Sequence, residues 1–243
     1  MRSRLFIGVA AAVFTAAHAV HAQSSDRLSG GLQEGNYVRV SAGVTSPVNP
    51  QGSFSNWKSG TGLTVGWENW QGGGSAGVGI LGLALSAGYS LLPLDESDFM
   101  KTYSPLNGGR ATAASASKGG LFELSTGLRL RIPSPVVVPT INFSIGFIHW
   151  APGKISFTAP SGDGSVKQQS RTGAELTIGA GLQRFVAGRV SVFADAAYVY
   201  GLTSLGRSSA TPGGVCSGAS ACDVLKNTAV TNLRAGLAVF ASR

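Results

Sequence analysis

Apolar and polar residues alternate without a break from Phe122 to Ile132. Phe122, Leu124, Thr126, Leu128, Leu130 and Ile132 share one parity, and Glu123, Ser125, Gly127, Arg129 and Arg131 share the other. Side chains of a strand point alternately to opposite faces, so this alternation predicts a strand with one apolar and one polar face. The same period recurs along the chain. It predicts eight strands at about 36–45, 60–69, 77–91, 122–132, 138–150, 171–185, 188–201 and 228–240. Most are as long as the roughly 9–11 residues that a tilted strand needs to cross a bilayer.

The third segment has a competing reading. No charged residue occurs between Glu68 and Asp95, a gap long enough for a lone transmembrane helix. Gly72, Gly73, Gly74, Gly77, Gly79, Gly82 and Gly88 argue against the helix, because glycine is a poor helix former. The small residues also fall on alternate positions, which is the strand period.

The connections alternate in length. Residues 46–59, 92–120, 151–170 and 202–227 form long links, and "WQGGGS", "PSPVV" and "VAG" form short ones. An even strand number with short turns at one end and long loops at the other describes an outer-membrane barrel. A soluble sandwich has no reason to keep that rhythm. With the short turns in the periplasm, Tyr37, Trp67, Trp70, Phe185 and Phe240 fall at the inner rim. Tyr89, Phe122, Phe147, Trp150, Tyr198 and Tyr200 fall at the outer rim. Height along the strands therefore predicts two aromatic girdles around an aliphatic band.

Composition supports the membrane reading. Charged residues make up 12% of the chain and hydrophobic ones 43%, with 35 glycines among 243 residues. Soluble domains average about 25% charged residues, so this chain is poorly equipped to cover a water-facing surface. A soluble Gly-rich β protein of the periplasm is the minor alternative.

The start of the chain reads as an export signal. Arg2 and Arg4 precede an apolar run from Leu5 to Ala17, and Val20-His21-Ala22 offers a cleavage site, with Ala19 as its rival. The run is shorter than the ~20 residues of a spanning helix. The expected organisation is a signal peptide over 1–22, a flexible periplasmic lead-in over 23–35 and a barrel over 36–243. Removal of residues 1–22 leaves 17 basic against 11 acidic residues and one histidine, His149. Cys216 and Cys222, in "CSGASAC", lie in a Gly/Ser loop of an exported chain. That compartment is oxidising, and the pair is expected to form a small disulfide rather than a metal or redox site.

Strand rhythm, loop alternation and rim aromatics together resemble the eight-stranded outer-membrane barrels: the OmpA transmembrane domain, OmpX and the neisserial opacity-protein group. The resemblance spans about residues 36–240 and rests on architecture. It implies an all-β, eight-stranded antiparallel up-and-down transmembrane barrel with four exposed loops. Members usually end in an aromatic residue that assists assembly, whereas here "LRAGLAVFASR" places Phe240 three residues before the end. By strict parity Phe240 also shares a face with Arg234, unless a bulge intervenes.

Eight strands enclose an interior just wide enough for side chains. If the apolar parity meets lipid, Arg39, Glu68, Glu123, Arg129, Arg131, Glu175, Asp195 and Arg234 point inward. Charges away from water need partners, so these residues are expected to form a lumenal ion-pair network. Arg39–Glu68 and Asp195–Arg234 are the expected pairs between neighbouring strands. Such a network either fills the barrel or gates a narrow channel for ions or small solutes.

Chemistry of other kinds finds little support. Ester or amide cleavage needs a nucleophile beside a base, usually histidine. His149-Trp150-Ala151 lacks the His-x-Ser pair of small lipid A deacylating barrels, so no catalytic residue is expected. No cofactor or metal site is expected, and an exported chain gives no reason to expect nucleic acid. The expected partners are outer-membrane lipid and lipopolysaccharide, whose phosphates suit a basic loop collar, and host or surface polymers met by the loops.

Overall fold

The computed structural model describes residues 34–48, 56–71, 79–102, 111–134, 136–160, 162–167, 170–203, 209–210 and 227–242. The proposed signal peptide, most of the lead-in, and Cys216 and Cys222 lie outside them. Eight long strands close into an antiparallel barrel. They are β1 (Gly35–Pro47), β2 (Gly60–Trp70), β3 (Ile80–Leu92), β5 (Gly119–Arg131), β6 (Val138–Ala151), β9 (Arg171–Ala187), β10 (Val190–Thr203) and β12 (Asn227–Ser242). Each pairs with its neighbour in sequence, and β12 returns to pair with β1. Full closure removes the open sheet edges that would otherwise carry unpaired backbone groups into an apolar medium.

The segment from Glu68 to Asp95 supplies the end of β2 and all of β3. Among the described residues no helix is long and apolar enough to cross a membrane.

The outer wall is apolar. Val40, Leu63, Leu83, Ile145, Ile178 and Leu233 are exposed on it, Leu63 at 64%. The polar parity is inside: Arg39, Glu68, Glu123, Arg129, Arg131 and Glu175 are buried. Apolar outside and polar inside is the arrangement of a transmembrane barrel, since burial against lipid replaces burial in a core.

The long-loop end carries structure that alternation does not reveal. A four-stranded sheet in the order β11-β8-β7-β4 stands beyond the barrel, built from β4 (Ala113–Ala116), β7 (Ile155–Ala159), β8 (Gly162–Lys167) and β11 (Ser209–Ala210). A short helix, α1 (Glu96–Thr102), follows β3. Asp95 caps it, its Oδ1 accepting from the Ser97 hydroxyl at 2.7 Å and the Asp98 amide at 3.1 Å. Capping satisfies backbone donors that the first helical turn leaves open.

Three of the expected girdle aromatics are corrected outright. Tyr37, Trp70 and Trp150 are buried inside the barrel, not set against lipid. Phe185 and Phe240 are half-buried and pack against the same inner cluster as Tyr37 and Trp70. Height along a strand places a residue near a rim, but parity decides the side, and these five share the parity of the buried charges. No bulge falls between Arg234 and Phe240 to separate their faces. The register of β12 against β1 shifts between Phe240 and Ser242, so Phe240 keeps the inward parity of Arg234. Trp67, Tyr89, Phe147 and Tyr198 are exposed on the outer wall. Phe122 and Tyr200 have the same outward parity and are half-buried, with Phe122 packed on Phe147 at 5.7 Å.

Candidate functional site

The interior is layered along the barrel axis. At the turn end, Tyr37, Trp70, Phe193 and Ala238 form an apolar cluster, backed by Ile80, Phe185 and Phe240. Arg131, fully buried, sits in this cluster. Its guanidinium carbon lies 3.7 Å from the Trp70 ring centroid and 4.8 Å from that of Tyr37. Such rings attract a cation through their negative faces. The Arg131 Nε donates to Gln183 Oε1 at 3.1 Å, and Gln183 Nε2 donates to Ser191 Oγ at 2.6 Å.

The middle layer is charged. Arg39 Nη1 lies 2.6 Å from Glu68 Oε1, and its Nη2 lies 2.6 Å from Asp195 Oδ2. Arg129 bridges the same two carboxylate oxygens, at 2.9 Å and 3.0 Å. Two guanidiniums and two carboxylates thus alternate in a ring. Trp70 Nε1 donates to the other Glu68 oxygen at 3.0 Å, and Arg131 Nη2 is 3.6 Å from it. Arg39 also stacks on Phe193, with 3.5 Å from its guanidinium carbon to the ring centroid.

Further out, Arg234 Nη2 lies 2.6 Å from Glu123 Oε2. Asn232 donates to Glu123 Oε1 at 3.0 Å and accepts from the Thr45 hydroxyl at 2.7 Å. Glu175 Oε1 accepts from Thr177 at 2.8 Å. An internal cavity of about 120 Å³ runs between these groups. Above it, Trp57, Leu92, Phe99, Leu121, Ile148, Trp150, Ile155 and Phe157 form a second apolar cluster. Trp57 meets Trp150 edge to face at 5.2 Å, and α1 contributes Phe99. Both ends of the lumen are therefore filled by large apolar side chains.

All eight candidate charges come from the inward parity, and the structure divides them into these two layers. The expected Arg39–Glu68 pair is present. The expected Asp195–Arg234 pair is replaced. Asp195 pairs with Arg39 and Arg129, and Arg234 reaches Glu123 on the far side of the barrel. Asp195 and Arg234 do stand opposite each other in register. The lumen, however, is narrow enough for an arginine to span it, so direct opposition on one wall does not select the partner. Sequence reading missed the apolar plugs, although parity marked Tyr37, Trp70, Phe193, Leu121, Ile148 and Trp150 as inward.

The chain is similar to small outer-membrane barrels of solved structure. Neisserial surface protein A shares 14% identity, the match covering 85% of this chain and 97% of that one with a TM-score of 0.46. Ail, the attachment invasion locus protein of Yersinia pestis, shares 16% identity over 85% and 99% of the two chains, with a TM-score of 0.42. OprG from Pseudomonas aeruginosa shares 13% over 88% and 99%, with a TM-score of 0.49. No family model and no curated protein matches the chain. At such distances the likeness carries nothing about role, and the architecture stands on this chain's own strand pairing.

Proposed function

We propose that this protein is an integral component of a bacterial outer membrane, exported through a cleaved signal peptide. Its barrel is a sealed scaffold, and its outer loops make the functional contacts. The observation that carries this reading is the filled lumen: an apolar plug at each end with an ion-pair layer between. A buried ion pair is weak evidence for net stability, because desolvation offsets much of the attraction. Its use here is to hold the wall strands in one register around a polar interior. The network is thus a rigid filler, and the channel reading falls to second place.

The outer end supplies the contact surface. Its sheet and α1 pack on the outer apolar cluster, and Lys101, Lys118 and Lys154 are exposed there. These ammonium groups suit lipopolysaccharide phosphates and anionic surface polymers. His149 Nδ1 lies 2.6 Å from Thr172 Oγ1 near the outer rim. Among the described residues no carboxylate contacts His149 to orient it as a base, so we assign this pair to the interface rather than to catalysis.

Cell fractionation with a solute-swelling assay on reconstituted liposomes tests the reading. The chain is expected in the outer-membrane fraction, and its liposomes should swell in small sugars no faster than empty ones. Rapid swelling would overturn the scaffold role.

A further inference from the structure

The charges of the lumen do not balance layer by layer. In the inner layer Arg39, Arg129 and Arg131 face Glu68 and Asp195, an excess of one positive charge. In the outer layer Glu123 and Glu175 face Arg234 alone, an excess of one negative charge. Glu175 is the unmatched group. It is 5% exposed, and among the described residues it forms no ion pair. Its Oε1 is held by Thr177, while its Oε2 has no hydrogen-bond partner. Arg171, on the same face of β9, stands four residues further out, about 13 Å by strand rise.

Glu175 lines the 120 Å³ cavity, which has room for several waters or for a partly hydrated ion. Thr64 Oγ1 and Asn142 Oδ1, also unpartnered, line the same cavity, Asn142 at the level of Gly179, four residues from Glu175 along β9. Ser125, Ser144 and Thr177 add hydroxyls to it. Arg129 Nε is an unpartnered donor in the inner part of the cavity, whereas the part beside Glu175 offers one uncompensated carboxylate oxygen among hydroxyls. That donor set suits a hard cation. A divalent ion such as calcium asks for several carboxylates and six to eight oxygens, more charge than the layer offers.

We propose that the outer half of the lumen binds one small monovalent cation, sodium or potassium, against the Glu175 carboxylate. The ion's charge cancels the outer-layer excess and satisfies the free Glu175 oxygen. This site goes beyond the scaffold role, and it is read out without any transport assay, so the two ideas fail separately.

The test uses the full mature chain, refolded at pH 8 with thallium(I) as the probe and crystallised. One anomalous peak is expected in contact with the Glu175 carboxylate and absent from Glu175→Gln. In parallel, the wild-type unfolding midpoint should be higher in sodium or potassium than in tetramethylammonium at equal ionic strength. No peak at Glu175, or a peak that persists in Glu175→Gln, overturns the proposal and makes Glu175 a protonated filler. If Glu175→Gln does not refold, the wild-type peak together with the cation dependence of the midpoint decides. Equal midpoints then count against the site.

Discussion

Arg39 shows what one residue contributes to this interior. It bridges two carboxylates that Arg129 also bridges, so its loss leaves Glu68 and Asp195 sharing one nearby guanidinium in the ring. Breaking a buried pair from one side strands a charge, and Arg39→Ala is expected to cost about 3 kcal/mol. Urea unfolding in detergent checks this, and the double cycle with Glu68→Gln should show coupling of about 1–3 kcal/mol. Asp95 makes a different contribution, outside the membrane. The hydrogen bond from Ser97 holds its carboxyl below the ordinary value of 3.8, aided by the Asp98 amide and by Lys58. A lowered folded-state pKa means that the stabilisation is present above the unfolded value. It is lost as pH falls through the folded one. Asp95→Ala should therefore loosen α1 by about 1 kcal/mol at neutral pH. Amide exchange at Asp98 should speed up in the variant at pH 7, with little difference from wild type once Asp95 is protonated.

At the scale of elements, the eight wall strands were legible because one face of each had to be apolar. Leu81, Leu83 and Leu85 against Gly82, Ala84 and Ser86 favoured a strand over the competing helix. Five of the girdle aromatics were misread because height was used without side. Trp70 lies at the end of its strand, as expected of a rim aromatic, but its parity is that of Glu68, and it turns inward. Gly82 makes room for it: a Cβ there would come within 2.7 Å of the indole ring. The partner exchange of Asp195 and Arg234 was not legible, because it depends on the reach of side chains across the lumen. The outer sheet was missed because β4 and β11 are too short and too small in side chain to show a pattern. Phe240 tests the closing seam. It meets the Tyr37 ring edge to face at 5.4 Å, next to the register shift between β1 and β12. Phe240→Ala should cost about 2 kcal/mol, less than the loss of a fully buried phenylalanine. The heat-modifiable folded band should weaken accordingly on refolding into lipid.

At the scale of the molecule, the apolar wall and the polar lumen exchange the usual places of core and surface. The wall can meet lipid because every barrel strand has a partner on both sides. Large side chains fill both ends of the lumen, with Trp70 and Arg131 at one and Trp57, Phe99 and Trp150 at the other. A channel would need a continuous wet path past both plugs, and the internal cavity lies between them. Single-molecule conductance of the refolded mature chain in a planar bilayer tests this account most directly. A sealed barrel predicts a flat baseline with no discrete steps at either polarity, unchanged in Arg39→Ala and Arg234→Ala. Stable steps in the wild type whose size changes when either arginine is removed would contradict it.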